Sequence, residues 1–292
     1  MTFAHTTVLL EETVQAIAPR AGGSYADATL GGGGHAEAIL ERSGPDGTLI
    51  GLDRDPAALQ AAKERLARFG TRVTFVHEEF GRLADVLRDM GRAPVDGVVA
   101  DVGVSSPQLD DPGRGFSFRA SGPLDMRMDP TRGETAKELI ARLDADALAN
   151  VLYEYGEERR SRPIARSIKK AEAEGELETT ADLARAVHRV LRRRGRIDPA
   201  TRSFQALRIA VNGELDQLRR LLDDVPTVLK DDGVVAVISF HSLEDRIVKH
   251  TFRDDPRLKP LTKKPLQPSD EERAENPRSR PSKLRAAKRV AS

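Results

Sequence analysis

The chain has 292 residues, 39% of them hydrophobic, enough for one sizeable core and a smaller second one, since domains usually run to roughly 100–200 residues. Its 47 basic and 46 acidic side chains leave a net charge of +1, so a nucleic-acid-binding face would have to come from local clustering rather than bulk charge. The absence of cysteine excludes a disulfide framework, a thiolate zinc site and a cysteine nucleophile.

Short apolar, β-branched runs alternate with helical patterns, which predicts a mostly parallel sheet with helices on its faces. Strands are predicted at 25–29, 48–52, 73–76, 97–101 and 234–240, with helices near 36–42, 56–69 and 83–90. The first four strands start about 22 to 25 residues apart, close to the ~30-residue βαβ unit. More than 130 residues separate the fourth strand from the fifth, so an inserted unit is expected there. That insert reads as helical. Thr135 to Glu138 is a capping box, Asp144 caps a second helix, Ser161 with Pro163 starts a third and Thr179 to Asp182 a fourth. Phe204, Leu207, Val211, Leu215, Leu218 and Leu222 then recur at helical spacing, predicting one long amphipathic helix that returns to the sheet. In the proline- and charge-rich tail, 258–264 and 283–290 have strand character suited to an antiparallel edge hairpin. The expected division is a first core segment 1–130, a helical insertion 131–204 suited to substrate recognition, and a second core segment 205–292.

The opening 1–19 is broken by His5, Glu11 and Glu12 and does not read as a signal. The longest apolar run, 234–238, is far short of the ~20 residues that span a bilayer. A cytoplasmic protein with no membrane partner is expected. Six scattered histidines without ligand spacing suggest no metal site.

A glycine-rich segment follows the first strand. Gly31, Gly33 and Ala36 satisfy G-x-G-x-x-G/A, and Asp53 ends the next strand 22 residues after Gly31. Glycines let the backbone approach a ligand, and a strand-end acid binds ribose hydroxyls. Dinucleotides and S-adenosylmethionine both fit this pattern. Asp27 separates them: a carboxylate four residues before Gly31 repels a pyrophosphate and attracts a sulfonium. Phe80, just past the third strand, lies where an adenine ring would rest, or is a core phenylalanine. Asp101 to Asp110 follows the fourth strand and faces the same ligand, since open α/β sheets bind at the carboxyl ends of their strands. Methyltransferases acting on amino groups place an Asp/Asn/Ser-Pro-Pro-aromatic segment here; this chain has Ser106-Pro107-Gln108 instead.

Longer motifs carry a specific resemblance. His5 to Leu10, Asp27 to His35, Asp101 to Asp111, Arg114 to Phe118, Gly122 to Arg132, Tyr155 to Glu158, Arg202 to Gln205, Ser239 to Arg246 and Glu275 to Arg280 together resemble the bacterial ribosomal RNA small-subunit methyltransferase H group, also called MraW. The resemblance covers nearly the whole chain. It implies a Rossmann-like class I methyltransferase core of α/β class with an inserted helical domain. It also implies S-adenosylmethionine as cofactor, 16S rRNA as partner within the small ribosomal subunit, a possible homodimer, and methylation of a cytidine N4 in the decoding region. Carried over by position, the family's cofactor contacts fall on Gly33, Gly34, His35, Asp53, Phe80, Asp101 and Gln108; His35 and Gln108 rest on the resemblance alone.

For the transfer itself, acceptors at Asp101, Ser105 and Ser106 are expected to hold the cytosine amino group in line, with His241 as a further candidate at the end of the fifth strand. His241 alternatively belongs to a helix cap with Ser242, Glu244 and Asp245. Phe116 and Phe118, in an arginine-rich loop, are candidates for base stacking or for core packing. Arg127 is a candidate RNA contact, oriented by Asp125 or Asp129. The segment 185–208 holds eight arginines, and within it Arg193 and Arg194 are candidate phosphate contacts. The rival readings are a nicotinamide-dependent oxidoreductase and an RNA-binding assembly factor without turnover.

Overall fold

The structure, a computed structural model, describes residues 7–192 and 198–291. The chain folds as two units, Met1–Gly103 with Leu215–Ser292, and Val104–Glu214. The boundaries expected at 130/131 and 204/205 fall inside the second unit. The reason is packing: Phe116, Leu124, Met126 and Met128 share a core with the helices that follow them in the chain.

In chain order, α1 (Leu10–Ile17) is followed by β1 (Ser24–Asp27), α2 (Gly34–Arg42), β2 (Thr48–Asp53), α3 (Pro56–Leu66), β3 (Val73–His77), α4 (Leu83–Asp89) and β4 (Val95–Asp101). The second unit carries α5 (Ser106–Asp110), α6 (Ala136–Arg142), α7 (Ala145–Gly156), α8 (Ser161–Ala173), α9 (Thr180–His188) and α10 (Ala200–Asn212). Then come α11 (Glu214–Asp224), β5 (Leu229–Ser239), α12 (Ser242–Asp254), β6 (Leu258–Pro260), α13 (Asp270–Glu275) and β7 (Lys283–Arg289).

The strands form one sheet in the order β3-β2-β1-β4-β5-β7-β6. β1 to β5 are parallel, and β7 runs antiparallel between β5 and β6. Successive residues of the central strands enter opposite cores, as the two-residue period of a strand requires. Val98, Ala100, Val235 and Val237 pack with Leu83, Leu87, Leu218 and Leu222. Val99, Ala236 and Ile238 pack with Val14, Ile39 and Leu66 on the other face. Burial on both faces explains why Val98, Val99 and Ala100 of β4 form an unbroken apolar run. β4 and β5 begin earlier than their apolar runs, because Val95 pairs with Leu229 ahead of a register shift at Gly97. The polar stretch at 230–233, with Asp232 at φ 61°, hides that start in the sequence.

Helix starts follow their capping residues. Thr135 and Thr179 form capping boxes with Glu138 and Asp182, and Asp144 accepts the Ala147 N–H. The single long helix expected over 204–222 is instead two. Gly213, at φ 61°, closes α10 with a left-handed cap, and α11 begins at the next residue.

Within the second unit, buried Asn212 fastens the 126–128 turn to α10. Its side chain accepts the Met128 N–H and donates to the Met126 carbonyl, both at 2.8 Å. Asn212→Ala should destabilise the protein by about 2–4 kcal/mol, since two buried backbone groups lose their partner. The loss is read as a lower denaturant midpoint with an unchanged slope.

Candidate active site

The turn after β1 is bonded to both neighbouring strands. The Ala28 N–H donates to the Val99 carbonyl at 2.8 Å and the Leu30 N–H to the Leu52 carbonyl at 2.7 Å. The glycine segment is thereby held at the carboxyl ends of β2 and β4. Gly31 has φ 52° and Gly33 φ 81°, conformations that glycine adopts without strain. A Cβ added at Gly31 would meet only the Thr29 carbonyl oxygen, 3.8 Å away, so that side of the turn is open. At Gly33 it would press on Leu66 of α3, and at Gly34 it would overlap the Thr7 hydroxyl. The fingerprint therefore divides: Gly31 leaves room for a ligand, whereas Gly33 and Gly34 let α2 pack closely.

Three carboxylates surround this turn. Asp53, at the end of β2, accepts the Gly31 N–H on Oδ2 and the Asp55 N–H on Oδ1, both at 2.8 Å. Each oxygen keeps a second lone pair, the capacity two ribose hydroxyls would use. Burial pushes its carboxyl up to about 6, against those two N–H donors. Asp27, at the end of β1, is 1% exposed. Burial drives its carboxyl up to about 7, although the Thr29 N–H, donating at 3.1 Å, favours the ionised form; the charge of Asp53 adds to the rise. Asp101, at the end of β4, is held through its backbone N–H, which donates to the Thr29 hydroxyl at 2.5 Å. Its Oδ1 is buried and has no hydrogen-bond partner. Burial, then the charges of Asp27 and Glu244, place its carboxyl well above the usual carboxylate range.

Glu244 is the member of this group that sequence reasoning had placed only in a helix cap. It is 2% exposed, in the first turn of α12. Its charge acts on Asp101 because β4 and β5 pair in register, Asp101 beside Ile238. Thr29 was missed as well; its signal is a hydroxyl two residues past an acidic strand end.

His241 caps α12. Its Nδ1 accepts the Glu244 N–H at 3.4 Å, and Glu244 Oε2 accepts the Phe240 and His241 N–H groups at 2.7 and 3.1 Å. Its Nε2 lies 2.9 Å from Glu244 Oε1, too poorly angled for a hydrogen bond. Both ring nitrogens thus face Glu244, so the helix cap, one of the two roles the sequence left open for His241, is present in the fold. His35, in the first turn of α2, is buried with its Nε2 3.1 Å from the Val8 carbonyl, a contact that anchors the segment before α1. Phe80 is partly buried, packed against the core under β1 and β4.

Ser105, Ser106 and Gln108 belong to the second unit. Ser105 and Gln108 form the capping box of α5: the Ser105 N–H donates to Gln108 Oε1 at 3.0 Å and the Gln108 N–H to the Ser105 hydroxyl at 3.4 Å. Ser106 opens that helix. Phe116 is 6% exposed in the second core, and Phe118 packs on Phe204 with ring centroids 4.8 Å apart. Phe116 is therefore packed in the core, one of the two roles the sequence left open for it. Arg127 is clamped by Asp125 through two bonds of 2.8 Å, and its Nη1 reaches the Gly133 carbonyl at 3.4 Å. This ion pair accounts for the guanidinium within the unit itself. Arg193 and Arg194 lie outside the described residues.

A sheet of this order, its last strand reversed between the fifth and sixth, with acids ending β1, β2 and β4 around a glycine turn, defines a Rossmann-like class I methyltransferase. The chain belongs to the MraW methylase family, whose model matches residues 2–290. It is 59% identical over 288 residues to Ribosomal RNA small subunit methyltransferase H of Sorangium cellulosum, covering 98% of this chain and 91% of that one. To the protein of the same name from Synechococcus elongatus it is 53% identical over 289 residues, covering 99% and 95%. A solved rRNA methylase from Streptococcus thermophilus matches 98% of each chain with a TM-score of 0.46 and 10% identity. Among the described residues no helix is long and apolar enough to cross a membrane.

Proposed function

We propose that this methyltransferase uses S-adenosylmethionine to methylate the exocyclic N4 of a cytidine in the decoding region of 16S rRNA, within the small ribosomal subunit. Family membership and the names of its relatives support the RNA substrate. The observation that carries the chemistry is Asp101, with a buried, unpartnered Oδ1 beside two further carboxylates.

The residues present fit the cofactor. Asp53 would hold ribose hydroxyls, the open side of Gly31 would admit the ligand's approach to the backbone, and Phe80 would meet the adenine. Asp27 and Asp101 supply negative charge for a cationic ligand. When bound, S-adenosylmethionine supplies an electrophilic methyl group on a cationic sulfur. The cytosine amino nitrogen is a weak nucleophile because its lone pair is delocalised into the ring. Acceptors that hold its hydrogens localise that pair, and positioning supplies much of the acceleration. Asp101 is the acceptor we assign, with Ser105 and Ser106 following it in the chain. One proton must leave the amino nitrogen, and a carboxylate whose pKa is raised by burial is a stronger base toward it than an exposed one. Mass spectrometry of small-subunit rRNA from cells with and without the gene tests this. Loss of one methyl group from a single cytidine is expected; an unchanged modification map overturns the assignment.

A pH dependence follows from Asp27. Below its pKa of about 7 the carboxyl is neutral, so affinity for S-adenosylmethionine should rise as pH is raised from about 6 to 8. S-adenosylhomocysteine lacks the sulfonium charge and should respond less. Equal slopes by calorimetry would remove Asp27 from the surroundings of the sulfur.

A further inference from the structure

The second unit has a cluster of arginines with no internal work to do. Arg159, Arg160, Arg162 and Arg166 are all exposed, and none makes an ion pair or side-chain hydrogen bond among the described residues. Their neighbours behave differently. Arg142 pairs with Glu134, Arg185 with Asp182, Arg189 with Glu176 and Arg208 with Glu214. Apart from Arg119 and Arg192, every other described lysine or arginine of the unit contacts an acid or a backbone carbonyl.

The placement of this cluster opposes helix stability. α8 has no acid in its first turn, whereas α6, α7 and α9 carry Glu138, Asp146 and Asp182 there. Cations at a helix N-terminus oppose the macrodipole, and Arg162 and Arg166, four apart, repel along one face. The nearest acid on the amino-terminal side, Glu158, is buried and accepts the Arg160 N–H at 2.8 Å. An aromatic ring stands close by in the chain: Tyr153, near the end of α7, is 61% exposed.

We infer that this arginine face, with Tyr153, grips the backbone and a base of single-stranded RNA; the inference rests on the RNA-methylating function proposed above. Arginine forks match phosphate oxygens in pairs, and an exposed ring stacks an unpaired base. An anionic protein or membrane surface would engage the charges without needing the ring.

The test compares binding of purified 16S rRNA to the full-length protein at several salt concentrations. One variant combines Arg159→Gln, Arg162→Gln and Arg166→Gln. A control, Lys249→Gln with Lys263→Gln and Lys264→Gln, changes net charge equally in the other unit. The arginine variant should bind at least tenfold more weakly and lose roughly 2 from the salt slope, at ~0.7 per phosphate contact. Its melting midpoint should be unchanged or raised. Tyr153→Ala should weaken binding roughly fivefold or more with the salt slope kept. An arginine variant that binds like wild type, or a lysine control that loses as much, overturns the inference. So does a Tyr153→Ala protein with wild-type affinity, which would leave only a generic anion surface. Methyl transfer to small-subunit RNA is measured in parallel. Its absence from the wild type would remove the proposed function, whereas transfer with unaltered binding by the variants removes only this surface.

Discussion

An Asp27→Asn protein should melt several degrees above the wild type at pH 8 and bind S-adenosylmethionine at least tenfold more weakly. The carboxyl is buried at the end of β1 and raised to about 7. A carboxyl whose pKa is higher in the folded chain than in the unfolded one holds more protons when folded, between the two values. Folding stability therefore falls as pH rises from about 4 through about 7. Each pKa unit is worth about 1.4 kcal/mol, so the penalty at pH 8 is on the order of 2–4 kcal/mol. Asparagine removes that penalty and keeps an oxygen for the Thr29 N–H. Each kcal/mol shifts the midpoint by about 2–4 °C for a chain of 150–250 residues. Calorimetric melting at pH 8 and pH 4 checks the sign: the gain should vanish at pH 4, where both side chains are neutral. A variant that melts lower at pH 8 would show that the charge of Asp27 serves the fold. A gain in stability coupled to a loss of binding is the signature of a group kept for function.

Asp101→Asn should lower methyl transfer by about 10²–10⁴-fold, the range for loss of a positioned proton acceptor. Affinity for S-adenosylhomocysteine should change by less than tenfold. The backbone bond to Thr29 does not involve the side chain, so the end of β4 keeps its place. Labelled transfer to 30S subunits and calorimetry on the same preparation separate the two effects. A loss of binding as large as the loss of turnover would assign Asp101 to holding the cofactor.

Much of the first unit is legible in one dimension. The apolar runs of β1, β2 and β4 stand clear because strands buried on both faces admit little else, and Asp27, Asp53 and Asp101 are readable as acids ending those runs. The start of β5 was hidden because Lys230 to Gly233 is polar, and its place in the sheet follows from pairing with β4 rather than from its own composition. Phe116 and Arg127 looked like ligand contacts because an aromatic and an arginine in a glycine-rich loop fit both roles. Only the fold shows their partners, a second core around Phe116 and the Asp125 fork around Arg127.

Periodicity, capping residues and strand-end acids, all short-range properties of a polypeptide, determined most of the elements and the glycine turn from the sequence by itself, and the longer motifs carried the family resemblance. Three matters were left to tertiary structure. The first is the grouping of Asp27, Asp101 and Glu244, which lie far apart in the chain and share a site because three parallel strands end together. The second is the burial that raises the pKa values of Asp27 and Asp101, since desolvation depends on what packs over a group and not on its neighbours in sequence. The third is which charges remain free: an arginine is unpaired only relative to every acid the fold brings within reach, and that inventory exists only in three dimensions.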